Sequence, residues 1–200
     1  MKTKNIALAG HAGTGKTTLM EALLYQGGKT ERMGSVSAGT TVSDYTAEEM
    51  KRHSSVNTAT ASFLQNGEKI NLLDTPGMFD FAGGMIQGIS AADCVLIAVS
   101  GKSGVRVGTK KAYRAAQGKP RMFVVTKLDD ENANFYNVLT ELKSTFGPSV
   151  CPVVVPVIVD RKVDSYINLI EMKAYRYDAD GKAQEIPMPT AEVSEKLSYR

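Results

Sequence analysis

At 200 residues the chain has room for one domain with a full core, or one domain and part of another. It is 42% hydrophobic and 22% charged, with 24 basic against 21 acidic residues. That composition excludes a low-complexity or disordered protein, and so nearly balanced a charge gives no argument for nucleic-acid binding, which needs clustered Lys and Arg.

The first four residues lead into an apolar stretch, 6–9, too short for a secretory h-region or a membrane span, so the expected location is the cytoplasm. Residues 5–9 end at Gly10 and read as a buried strand. Residues 17–26 carry Leu19, Leu23 and Leu24 at helical spacing and stop at Gly27-Gly28. The segment 29–55 is polar and aperiodic, the mark of a functional or mobile loop. Two strands, 58–65 and 68–74, flank Asn66-Gly67, whose residues suit the positive φ of a tight hairpin turn.

Residues 94–99 and 122–125 are further buried strands, separated by a helix over 109–117, and a second helix spans 131–146. This rhythm predicts a mostly parallel α/β sheet with helices on both faces and one antiparallel hairpin edge. After Pro148 the texture changes. Residues 153–159 suit an edge strand because of Pro156, 167–177 and 184–186 complete a small antiparallel meander, and 190–200 begin a helix. The expected division is therefore a domain over 1–148 and the start of a small inserted α+β subdomain over 149–200, cut short at its end. Cys94 and Cys151 sit in apolar runs with no metal or redox spacing, and are expected to be buried, reduced thiols.

Residues 10–17 read G-H-A-G-T-G-K-T, the pattern G-x-x-x-x-G-K-[ST] between a strand and a helix. Glycines let backbone N–H groups close around phosphate, and the helix N-terminus adds partial positive charge. His11, Ala12, Gly13, Thr14, Gly15, Lys16, Thr17 and Thr18 are the expected phosphate contacts, with Lys16 reaching the β- and γ-phosphates and Thr17 a ligand of Mg²⁺. Such a loop alone fits kinases, ATPases and GTPases alike. Gly101-Lys102-Ser103 lacks the preceding glycine loop and reads as a surface turn.

Two later elements separate these classes. Asp74-Thr75-Pro76-Gly77 ends a strand, placing Asp74 to hold Mg²⁺ and the Gly77 N–H to meet the γ-phosphate. Thr126-Lys127-Leu128-Asp129 ends another strand, where Asp129 would accept hydrogen bonds from guanine N1 and N2 while Lys127 covers the base. Adenine lacks that donor pair, and a site built on hydrogen bonds rejects a ligand without them. GTP and GDP, with Mg²⁺, are the expected ligands. A small-molecule kinase would need an arginine-bearing lid that the sequence does not offer.

With these motifs the chain resembles the translational GTPases, and among them elongation factor G and its paralogues. The resemblance runs through Gly10-His11, Gly34, Val36 and Gly39, Asp44-Tyr45, Arg52, residues 74–81, Lys119-Pro120-Arg121, and the segment 167–175 followed by Gly181 and Pro187. It implies a ribosome-stimulated GTPase of the cytoplasm, monomeric, with no membrane or DNA partner. Ribosomal protection proteins that confer tetracycline resistance share most of these features.

Four departures stand out. Ser55 replaces a metal-binding threonine of the first switch and keeps its hydroxyl. Thr126 replaces an asparagine, losing an amide that braces the phosphate loop, and Gly13 replaces an aspartate. Met78 stands where the family has the histidine that orients the attacking water. A thioether is no acid or base at neutral pH, so the resemblance leaves open a GTP-dependent binding module with little hydrolysis. His53, near Ser55, reads as a solvated loop residue. The family's last guanine-contacting motif has no counterpart in the 200 residues.

Overall fold

The computed structural model describes residues 2–160, 162–178 and 181–188. The chain forms two compact units, Met1–Lys127 and Leu128–Arg200.

The first unit runs β1 Thr3–Gly10, α1 Lys16–Gln26, α2 Ala47–Arg52, β2 Ala59–Gln65, β3 Glu68–Asp74, a 3₁₀ turn Phe79–Phe81, α3 Ala82–Ala91, β4 Cys94–Ser100, α4 Val107–Ala115 and β5 Arg121–Thr126. Its sheet has the order β2-β3-β1-β4-β5, with β2 antiparallel to β3 and every other pair parallel. The expected architecture, one hairpin edge included, is borne out. Because β1 is central and its neighbours β3 and β4 follow different crossovers, Gly10 ends at the switch point where open α/β sheets bind ligands.

Alternation along β1 decides what each face packs. Leu8 joins Met20, Leu24 and Leu72 in a fully buried cluster under α1, flanked by Ile6, Phe63 and Ile70. Each such side chain contributes about 1.5–3 kcal/mol of burial. Ala7 and Ala9 are buried on the opposite side, where their small size lets α3 and α4 approach β1. The hairpin turn is as its residues demand, with φ of 50° at Asn66 and 78° at Gly67.

Two helices were not anticipated. α2 lies inside the segment read as irregular, and starts at a capping box in which Thr46 and Glu49 satisfy each other's backbone N–H. α3, AGGMIQGISA, carries three glycines that lower helix propensity. Two of them are there for contact: a Cβ at Gly88 would stand 2.5 Å from Thr75 Cγ2, and one at Gly84 2.9 Å from Pro76 Cγ, whereas one at Gly83 would meet nothing within 4 Å. α4 begins two residues before the expected start.

In the second unit, α5 Phe135–Phe146 starts four residues later than expected, because Asp130 first holds a turn and Asn134 then caps the helix through Asn137 N (3.0 Å). An antiparallel sheet follows, in the order β6 Val154–Val159, β7 Lys162–Asn168, β8 Lys173–Tyr177, β9 Ala183–Ile186. Pro156 sits on the edge strand as expected. The stretch 167–177 is not one strand but the end of β7, a turn and β8. Cys151 is exposed, not buried, because it precedes β6 in irregular chain, and Cys94 is half-buried at the start of β4; both are free thiols. The helix expected over 190–200 lies outside the described residues.

Candidate functional site

The glycine loop leaves β1 at Gly10 and enters α1 at Lys16, with Gly13 (φ 73°) and Gly15 (φ 79°) in the left-handed region. Thr14 Oγ1 donates to the His11 carbonyl at 2.9 Å, as does Lys16 Nζ. Lys16 is buried, which lowers its pKa; Asp74 and Asp44 pull it back up. A cavity of about 240 Å³ opens here, and its walls include Ala12, Gly13, Gly15, Lys16, Thr17, Thr18, Asp44, Ser55, Gly77, Met78 and Lys127. Residues from four separate stretches of sequence thus share one pocket.

On the inner wall Thr17 Oγ1 donates to Asp74 Oδ2 at 2.6 Å and lies 3.2 Å from Ser55 Oγ. Ser43 Oγ donates to the same Asp74 oxygen at 3.1 Å, a contact that the sequence reading missed. Asp74 Oδ1 and both oxygens of buried Asp44 have no hydrogen bond, although Asp44 lies beside Ser55 and Lys16. Burial raises the Asp44 pKa. Gly77 closes the far side: a Cβ there would stand 2.7 Å from Ala12 N and press on Lys16 Nζ. Met78 follows in extended backbone, half-buried.

Asp74 is fully buried, and that desolvation pushes its carboxyl up to about 6 against the hydrogen bonds from Thr17 and Ser43 and the charge of Lys16. An unfolded aspartate titrates near 3.9, so the folded chain holds the extra proton between about pH 4 and 6. Stability therefore falls as pH rises through that window, and the cost, about 3 kcal/mol for two pKa units, is complete at pH 7. Asp74→Asn is expected to gain about 1–3 kcal/mol at pH 7.5 without nucleotide or divalent cation, and to flatten the pH 4–6 dependence. Urea unfolding at pH 4.5 and 7.5 measures both; a variant less stable than the native chain at pH 7.5 contradicts this electrostatic account.

The loop 29–58 is strapped by two buried glutamates. Glu21 on α1, 1% exposed, accepts from Val42 N (2.6 Å) and Gly34 N (3.0 Å). Glu49 accepts from Val56 N (3.1 Å) and Asn57 N (3.0 Å), on either side of which the chain runs to Ser55 and β2. Sequence reasoning passed over both. The available signal was a carboxylate in α1 one turn from Thr17 and Leu24, on the face that must be buried.

Thr126 corrects an expectation. By sequence it forgoes the brace that asparagine gives the phosphate loop, yet its Oγ1 donates to the Thr14 carbonyl at 2.7 Å, so a hydroxyl does the bracing at shorter reach. Lys127 follows with φ 56° and is exposed. Asp129 is exposed in the second unit, where its charge helps raise the pKa of Tyr166 behind the larger effects of burial and Tyr177. His53 is exposed on the cavity wall, with Nδ1 3.2 Å from the Val36 carbonyl. His11 packs on Phe79 (ring centroids 5.7 Å apart), and burial, then Lys16 and Arg106, lowers its pKa, keeping the ring neutral.

A switch-point glycine loop feeding a helix, with Lys16 and Thr17 in one pocket and a strand-end aspartate accepting from Thr17, defines a P-loop nucleotide-binding domain of the G-domain class. The family model described as the elongation factor Tu GTP binding domain matches residues 1–196. A crystal structure of a protein from Thermus thermophilus superposes with a TM-score of 0.91 at 43% identity, over 98% of this chain and 30% of that one. An elongation factor G-like protein of Mycobacterium tuberculosis is 41% identical over 90% of this chain and 24% of its own length, and one of Thermotoga maritima 36% identical over 93% and 27%. The chain belongs to the elongation factor Tu GTP-binding domain family, the G domains of translational GTPases, on its elongation factor G-like side. It spans about a quarter of the length of these curated relatives. Among the described residues no helix is long and apolar enough to cross a membrane.

Proposed function

We propose that this chain binds GTP with Mg²⁺ and hydrolyses it as part of a translation factor that acts on ribosomes in the cytoplasm. The observation that supports this most directly is the convergence of Lys16, Thr17, Ser55 and Gly77 on one pocket at the mouth of the glycine loop, with buried Asp74 hydrogen-bonded behind Thr17. Backbone N–H groups from Gly13 to Thr18 and the Lys16 ammonium hold the phosphates, and Thr126, Lys127 and Asp129 receive the guanine.

The inner wall fits a hard dication. It offers two hydroxyls and a buried carboxylate whose Oδ1 has no partner, with the unpartnered Asp44 oxygens nearby. Thr17 and Ser55 would hold Mg²⁺ directly and Asp74 through water, where it would supply positive charge to offset the negative charge of the phosphate oxygens. Gly77 N–H orients the γ-phosphate. Met78 occupies the wall where the family's histidine directs water, and its thioether can neither take nor give a proton. Positioning and charge carry the reaction, which is slow until the ribosome orders the switch segments that Glu21 and Glu49 strap.

Single-turnover phosphate release from GTP, with and without excess ribosomes, tests this reading. The expected result is a slow rate that ribosomes raise at least about tenfold, within what positioning contributes. A flat trace under both conditions, with GTP still bound, replaces the enzyme with a GTP-dependent binding module.

A further inference from the structure

Glu21 ties α1 to the segment 29–58 at two separated points. It stands four residues after Thr17, one turn along the same face of the helix. It is 1% exposed, and each of its oxygens serves a different stretch of backbone: Oε1 accepts from Val42 N at 2.6 Å and Oε2 from Gly34 N at 3.0 Å. Between those points the chain closes on itself, with Thr40 N donating to the Ser35 carbonyl at 3.1 Å and Ser35 N to Thr40 Oγ1 at 3.0 Å. One carboxylate thus holds both ends of a closed loop. Gly34 is fitted to it, since a Cβ there would stand 2.5 Å from Glu21 Oε2 and 2.6 Å from the Thr40 carbonyl.

Apolar packing gives this loop little support. Met33 and Val42 are 49% and 43% exposed. A cavity of about 630 Å³, walled by Glu21, Thr30, Arg32, Gly34, Thr40 and Val42, stands where packed side chains would otherwise be. The two charge-assisted hydrogen bonds therefore carry the attachment. Glu49 differs, because the N–H groups it accepts from, at residues 46, 56 and 57, tie the segment to itself. Glu21 reaches the segment from the helix whose first turn holds Lys16 and Thr17. Directly after Val42 comes the metal wall: Ser43 Oγ donates to Asp74 Oδ2, and Asp44 lies beside Ser55 and Lys16.

We propose that Glu21 is a positioning residue, a latch by which α1 sets the first switch over the metal wall and so favours GTP over GDP. The latch stands on the hydrogen bonds themselves, and its role in nucleotide choice rests on the GTPase reading.

Glutamine at position 21 fills the same space but offers one acceptor oxygen, and its NH₂ points a donor at the second N–H. Glu21→Gln is expected to speed trypsin cleavage after the exposed Lys29 and Arg32 about tenfold, the effect of losing one such bond on the open population. Circular dichroism is expected to stay native and GDP affinity to stay within about threefold, while affinity for a nonhydrolysable GTP analogue with Mg²⁺ falls about tenfold. Glu21→Asp, which keeps both acceptors on a shorter stem, is expected to recover part of each loss. Gly34→Ala, which disturbs the latch from the loop side, is expected to reproduce them. The proposal falls if Glu21→Gln is cut no faster than the native chain, or if GDP and the analogue weaken equally, which makes Glu21 structural only. If the native chain binds neither nucleotide, the GTPase reading fails and the role in nucleotide choice fails with it, while the cleavage rates still decide the latch.

Discussion

Lys16→Met is expected to lower the affinity for GTP and GDP by at least about 100-fold while leaving the chain folded. The loss follows from the bonds the ammonium makes to phosphate: charge-assisted hydrogen bonds contribute about 1.5–3 kcal/mol each, and two of them exceed the roughly 2.7 kcal/mol of a hundredfold change. The fold survives because Lys16 is itself costly. It is buried, its pKa is lowered by that burial, and methionine fills similar space without a charge to desolvate. The two carboxylates it serves, Asp74 and Asp44, lose their cation but have raised pKa values already, and protonation relieves them further. Calorimetric titration with GDP and a thermal melt on the same sample separate the two effects. A dissociation constant within about threefold of the native one removes Lys16 from the phosphate site; a collapsed melt would show the ammonium to be structural instead.

What could be read in the sequence were the features that local chemistry dictates. The glycine loop, Asn66-Gly67 and the apolar strand runs each need particular residues whatever surrounds them, and each lies where expected. What escaped were features whose logic is tertiary. Gly84 and Gly88 of α3 look like helix breakers until Pro76 and Thr75 are seen against them. Thr126 looks like a lost amide until the Thr14 carbonyl is found within reach of its hydroxyl. Glu21 looks like an ordinary helix former until the loop 34–42 folds back onto it. α2 is a different case: Thr46-x-x-Glu49 is a capping box visible in the sequence, overlooked because the segment has no hydrophobic period.

Met78→His is expected to raise ribosome-stimulated GTP hydrolysis about 100-fold, the lower end of what a positioned acid–base group contributes. Position 78 follows Gly77, whose backbone packs on Ala12 N, and its side chain faces the cavity that Lys16 and Thr17 share. An imidazole there would present a nitrogen where the native chain presents sulfur. Two other histidines could mask the effect. His11 is kept neutral by burial and packs on Phe79, so it is spoken for by the turn it supports. His53 is exposed, and its ring lies against the Val36 carbonyl. A pH profile of single-turnover hydrolysis distinguishes them: the variant should gain an inflection between about pH 6 and 7, where imidazole titrates, that the native chain lacks. His53→Ala should leave the native profile unchanged. If the native chain already shows that inflection and loses it in His53→Ala, the loop histidine has taken over the water, and position 78 no longer decides the rate.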